Sequence, residues 1–154
     1  MPLVNDGLDG LTYRINGICM QVHNDLGPGH REEVYHRALE QRFTEANIVF
    51  ESEPPLEVAD EMGNILIIYR PDFRIEGKLC LEIKALSHLL TNHEIAQVID
   101  YFAADVAETC AAALLINFGL PRLNYKRVFP PKKIREHRQV KKWGKTSAST
   151  NKNE

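Results

Sequence analysis

The stretch from Asp72 to Lys84, DFRIEGKLCLEIK, gathers two carboxylates and an amine into a short span. Strand residues alternate between faces with period two, so Glu82 and Lys84 point one way while Leu81 and Ile83 point the other. Glu76-Gly77-Lys78 reads as a three-residue turn, with glycine available for a left-handed backbone. With Gly77 as pivot, Asp72 falls opposite Glu82, and directly opposed residues have Cβ atoms about 4.5–5.5 Å apart. Arg70 and Arg74 share the face of Asp72, and Arg70 falls opposite Lys84. Two carboxylates so close repel each other unless a positive charge lies between them. A divalent cation is the usual remedy, and Mg²⁺ takes oxygen ligands while keeping several waters. Such a cation polarises a phosphoryl oxygen and acidifies bound water, and a nearby lysine adds positive charge where a phosphoryl transition state needs it. The plainer reading of the same residues is a solvated hairpin face laced with cross-strand ion pairs.

The neighbouring segments supply elements that would position this hairpin. Residues 11–25 carry Leu11, Ile15, Ile18, Cys19 and Val22 at helical spacing. Gly27-Pro28-Gly29 breaks the chain, and a second helix is expected from about His30 to Ala46, with Val34, Ala38, Leu39 and Phe43 on its apolar side. Ile48–Phe50 and Leu56–Ala59 read as strands, with Pro54-Pro55 marking an edge or interruption. After a turn at residues 61–64, Ile65 to Ile75 reads as one long strand, bent at Pro71, partnered by Leu79–Lys84. A third helix is expected from about Asn92 to Ala104, capped by Thr91 or Asn92. Ala111–Asn117 is a continuous apolar run, the mark of a strand covered on both faces. Asn124–Phe129 would be the last strand. Together these elements describe an α/β (α+β) domain, a mixed sheet with helices on its faces.

At 154 residues, 44% hydrophobic and 26% charged, the chain is an ordinary globular length and composition for one domain. The expected division is a domain over residues 1–131 and a basic, disordered tail over residues 132–154. No apolar run is long enough to span a bilayer, and no signal peptide is recognised at the N-terminus. Cys19, Cys80 and Cys110 are scattered and odd in number, which argues against a zinc pair or a secreted disulfide framework and for a cytoplasmic protein. Cys80 reads as a buried small hydrophobe. The net charge of −2 hides an asymmetry, because residues 126–145 hold nine lysines and arginines against Glu136 alone. That segment, +8 on a body of −10, suits either phosphate neutralisation or simple solubility. Trp143 within it is a candidate for stacking on a base. His23 reads as a structural hydrogen-bonding residue.

The second helix opens Gly29-His30-Arg31-Glu32-Glu33-Val34-Tyr35, a G-x-x-E-x-x-Y pattern. It stands in order with Val22-His23, Leu26-Gly27-Pro28-Gly29, Asp72, Glu82-Ile83-Lys84-Ala85, His93-Glu94 with Gln97 and Tyr101, Leu115-Ile116-Asn117-Phe118-Gly119, Pro121 and Leu123. In this ordered set the chain resembles the GxxExxY protein family, a branch of the PD-(D/E)XK nuclease superfamily, over about residues 11–129. The resemblance implies a PD-(D/E)XK nuclease-like fold with an αβββαβ core preceded by an extra N-terminal helix. It implies metal-dependent hydrolysis of phosphodiester bonds, with Asp72, Glu82 and the backbone carbonyl of Ile83 ligating Mg²⁺ or Mn²⁺. Lys84 would orient or activate the attacking water, Glu32 would complete the acidic site, and Gln97 would sit beside it.

Around that set, other residues have two readings each. Tyr35, one turn after Glu32, either holds that carboxylate or packs. His93 and Tyr101 flank Gln97 at four-residue spacing and either line the site or serve capping and core packing. Arg70 either binds phosphate or pairs with an acid. Arg70, Tyr35 and Tyr101 are thus the candidates for substrate binding. The expected partner is nucleic acid, with DNA favoured over RNA, and nucleases of this fold often pair, so a homodimer is a further expectation. The reading from another class is a non-catalytic module, binding nucleic acid or protein on the same fold.

Overall fold

A computed structural model describes residues 7–138 of the chain. Helix α1 (Leu8–Leu26) buries Ile15, Ile18, Cys19 and Val22, and α2 (Glu32–Glu45) buries Tyr35, Leu39 and Phe43. Each is one apolar stripe at helical spacing, so each helix covers a sheet along a single line. Between them, Gly27 and Gly29 take φ of 70° and 103°, a backbone that glycine enters without a Cβ penalty.

The strands are β1 (Phe50–Ser52), β2 (Leu56–Ala59), β3 (Ile65–Tyr69), β4 (Phe73–Ile75), β5 (Leu79–Lys84), β6 (Ala112–Asn117) and β7 (Asn124–Val128), with α3 (Asn92–Ala104) between β5 and β6. Five of them form the main sheet in the order β1-β4-β5-β6-β7. β5 and β6 run parallel and the other pairs antiparallel, which makes the sheet mixed. Leaving aside α1 and the β2–β3 pair, the order α2-β1-β4-β5-α3-β6 is the expected αβββαβ core. Among the described residues no helix is long and apolar enough to cross a membrane.

Alternation along β5 and β6 divides the interior in two. Leu79, Leu81, Ile83, Ala112, Leu114 and Ile116 pack with the stripes of α1 and α2. Cys80, Ala113 and Leu115 pack with Val98, Tyr101 and Phe102 of α3. A strand covered on both faces reads as a near-continuous apolar run, and Ala112–Asn117 is buried at every position. Thr91 caps α3 in a reciprocal capping box with Glu94, which settles the choice between Thr91 and Asn92.

Several expectations need correction. The single long strand over residues 65–75 is two strands in two sheets. β3 pairs with β2 in a separate two-stranded sheet, while β4 joins β1 and β5. Pro71 lies at the break, where its missing N–H cannot serve a ladder. The hairpin turn uses two left-handed residues, Glu76 (φ 52°) as well as Gly77 (φ 64°). Glu76 is held there from outside: its N–H donates to Val49 O at 2.8 Å, and its Oε1 accepts from Val49 N–H at 3.1 Å. Cys80 is disulfide-bonded to Cys110, so the cysteines no longer argue for a reducing compartment. Residues 132–138, within the expected tail, are helical and Arg138 is buried; residues 139–154 of that tail lie outside the described residues.

Candidate functional site

The hairpin register is Phe73 opposite Leu81, Arg74 opposite Cys80 and Ile75 opposite Leu79. Continued by one residue, it carries Asp72 to the position facing Glu82. β4 begins at Phe73, and the Asp72 side chain takes over just before it, where the backbone ladder is absent. Its Oδ2 accepts the Ile83 N–H at 2.8 Å, while its own N–H donates to Glu82 Oε2 at 3.3 Å. The N–H and C=O of one strand residue project to the same edge. The Ile83 carbonyl therefore opens on the edge where Asp72 lies.

Glu82 is buried, and its surroundings set its acidity. Burial and the charge of Asp72 push the carboxyl pKa up to about 8, against the pull of Lys84, the Tyr101 hydroxyl and the Asp72 N–H. Lys84 Nζ lies 3.9 Å from Glu82 Oε1 and donates to Gln97 Oε1. Gln97 Nε2 donates to the Tyr101 hydroxyl at 3.1 Å, and that hydroxyl lies near enough to Glu82 to bear on its acidity. Burial raises the pKa of Tyr101, so it remains a donor across the working pH range. Lys84, Gln97 and Tyr101 thus form a hydrogen-bonded chain between β5 and α3, beside Glu82. Tyr101 belongs to this chain and to the core together: its ring lies 5.9 Å from that of Tyr69.

On the opposite side of Asp72 stands a residue that the sequence reading missed. His36 Nδ1 is 3.0 Å from Asp72 Oδ1, its Nε2 is 3.5 Å from Glu40, and its ring stacks on Phe73 at 4.2 Å. The hydrogen bond to Asp72 raises the His36 pKa, with burial opposing it. Two partners on two oxygens hold the Asp72 carboxylate at a fixed angle. The available signal was position, since His36 lies one turn after Glu32 on α2. Asn117 was also missed as a positioning residue. Fully buried at the end of β6, it accepts from Leu86 N–H and Gly119 N–H and donates to His88 O, at 2.8, 3.0 and 2.8 Å. It pins the loop that follows Lys84. Gly119 is required by the same packing, because a Cβ there would lie 2.2 Å from Leu86 O.

Other predicted residues stand elsewhere. Glu32 is exposed in the first turn of α2, on the stripe that brings His36 to Asp72. The Tyr35 hydroxyl does not serve Glu32: it donates to Gly27 O at 2.6 Å and accepts the His30 N–H at 3.3 Å, and its ring stacks on Phe118. It locks the α1–α2 turn, and with no exposed surface it offers nothing to a substrate. Arg70 lies in the link between β3 and β4, where Nη1 donates to Glu53 O at 3.2 Å. Arg74 is committed to Glu51 and Thr109. The backbone N–H of His93 donates to the Thr91 hydroxyl in the cap of α3, and His23 bonds Leu120 O at 2.8 Å. Of the basic segment, Arg127 pairs with Asp9 and Lys132 lies 3.8 Å from Glu136. Lys141, Lys142, Trp143 and Lys145 fall outside the described residues.

Among the described residues no group of three His, Cys, Asp or Glu side chains is drawn together to hold a metal ion. The donor chemistry at Asp72 and Glu82 nevertheless fits Mg²⁺ or Mn²⁺. Two carboxylates and a strand carbonyl are hard oxygen donors, and such ions complete their shell with water. The pKa of Glu82 is raised first by burial and then by the charge of Asp72, and a cation between the two would offset both. The family model described as the PD-(D/E)XK nuclease superfamily matches residues 9–128. No curated protein and no solved structure matches the chain.

Proposed function

The chain belongs to the PD-(D/E)XK nuclease superfamily, and from that premise we propose that it is a metal-dependent nuclease hydrolysing phosphodiester bonds in nucleic acid, DNA before RNA. The observation that carries the proposal is the convergence of Asp72, Glu82 and Lys84 at the end of β5, with Glu82 buried beside a like charge. A purely structural hairpin gains nothing from that arrangement, since burying a carboxylate beside another is costly.

Asp72, Glu82, the carbonyl of Ile83 and Glu32 would hold Mg²⁺ or Mn²⁺. When bound, that ion supplies Lewis-acid polarisation and a water of lowered pKa. The chain's own residues do the positioning. His36 and the Ile83 N–H fix the two oxygens of Asp72. The Asp72 N–H and the Lys84 ammonium orient Glu82. Gln97 aims the Lys84 ammonium along the same face, where it orients the attacking water and offsets charge on the phosphoryl oxygens. Backbone phosphates are gripped by the basic residues of the C-terminal segment, without reading sequence.

The test is a panel of labelled linear, branched and single-stranded DNA and RNA incubated with the full chain and Mg²⁺, Mn²⁺ or chelator. Cleavage that needs metal and falls about 10²–10³-fold in Lys84→Ala is expected. Metal-dependent cleavage unchanged in Lys84→Ala would refute the role of that lysine. Binding without cleavage under every condition would favour the non-catalytic module.

A further inference from the structure

Strand β3 is the least conventional surface of the molecule. Ile65, Leu66, Ile67 and Ile68 are 53, 67, 46 and 41% exposed. The register shifts by one residue at Leu66, so Ile65, opposite Ala59, shares a face with Ile68, while Ile67, opposite Val58, lies on the other, and side chains are exposed on both faces. Its inner edge pairs with β2, and among the described residues the outer edge of β3 has no ladder partner. The base of this hairpin is anchored, because Leu56 is buried and Tyr69 packs edge-on to Tyr101. A run of four exposed aliphatic residues on an open edge invites another strand. An isolated two-stranded sheet is also marginal, and further strands stabilise it.

We propose that the outer edge of β3 pairs antiparallel with β3 of a second copy of this chain, about a two-fold axis near Ile67. The charges at the two ends of the strand select this occupant and this direction. Asp60 and Glu61 stand before β3, and Arg70 follows it. Neither Glu61 nor Arg70 has an ion-pair partner among the described residues. Antiparallel pairing lays the acidic turn of each copy beside the arginine of the other, whereas parallel pairing stacks like on like. Between those ends the strand carries no charge, so nothing repels across the axis. Two marginal two-stranded sheets then become one four-stranded sheet, β2-β3-β3-β2, with a self-complementary interface of the commonest symmetry. Residues 139–154 make a poor alternative cover, since they are predominantly polar and basic.

Sedimentation equilibrium of the full chain at micromolar concentration tests this without reference to any cleavage. The expected mass is twice the 17.6 kDa of one chain. Ile67→Lys places a charge on the edge and is expected to give a monomer with an unchanged far-ultraviolet spectrum, because the side chain is half exposed. Arg70→Glu is expected to weaken the dimer at least tenfold, and adding Glu61→Arg in the same chain is expected to restore it. A monomeric wild type, or an Ile67→Lys protein that stays dimeric, would overturn the proposal. A dimer indifferent to Arg70→Glu would overturn the antiparallel arrangement. Loss of the dimer only on removal of residues 139–154 would assign the contact to that segment instead.

Discussion

β5 and β3 are equally strand-like in sequence and opposite in surroundings. β5 reads LCLEIK, carries a carboxylate and an ammonium, and is buried at every position but the last. β3 reads ILIIY, carries no charge, and is exposed along four of its five residues. Burial by hydropathy alone would place them the other way round. A buried carboxyl persists where polar groups surround it, here the Asp72 N–H and the Lys84 ammonium, themselves held by His36 and Gln97. Exposed aliphatic residues in a row persist where something else covers them. The two departures motivate the two proposals, chemistry at the end of β5 and association along β3.

That contrast can be broken at its strongest point first. Leu81→Ala removes a side chain with no exposed surface from the dry face of β5. Urea unfolding should show a loss of about 2–5 kcal/mol. On the polar face of the same strand, Lys84→Ala should leave the fold intact and lower the cleavage rate about 10²–10³-fold, measured with saturating metal. His36→Ala removes one support of Asp72, and the apparent Mn²⁺ affinity should fall about 10–100-fold, with His36→Asn retaining part of it.

The pH dependence sharpens the contrast further. The folded-state pKa of Glu82 is raised, to about 8, above its ordinary value. Its contribution is therefore fully present below the ordinary carboxyl pKa and is lost as pH rises through about 8. In chelator, the melting temperature of the wild type should fall relative to Glu82→Gln between pH 5 and pH 8.5. The raised pKa of His36 acts in the same direction, so the comparison with Glu82→Gln isolates the carboxyl. The smallest effect belongs to β3. Leu66→Ala, made in a monomeric Ile67→Lys background, should change unfolding stability by less than about 0.5 kcal/mol.

How far these features were legible follows from their range along the chain. The opposition of Asp72 and Glu82 needs only a pivot and a period of two, and the observed register keeps it. Gln97 needs only a helix that returns over the sheet. The interruption at Pro71 was visible, but whether the strand bends or changes sheet depends on β2 being nearby, which no local pattern states. The Cys80–Cys110 bond joins residues 30 apart, brought together by the parallel pairing of β5 and β6, and parallel neighbours leave no turn signal in sequence. His36 hid on a helix whose apolar stripe accounts for Tyr35, Leu39 and Phe43. Its role arises only because β4 begins at Phe73 and leaves the Asp72 carboxylate to be held from the other side. Tyr35 was misleading for a related reason: spacing places it beside Glu32, while the Gly27–Gly29 turn folds back to claim its hydroxyl.

Calorimetric titration of the metal-free full chain with Mn²⁺ addresses the central claim most directly. A saturable heat in the wild type that disappears in both Asp72→Asn and Glu82→Gln, with both variants still folded, is the predicted result. Equal heats in all three proteins would place any metal elsewhere and contradict the assignment of this pair.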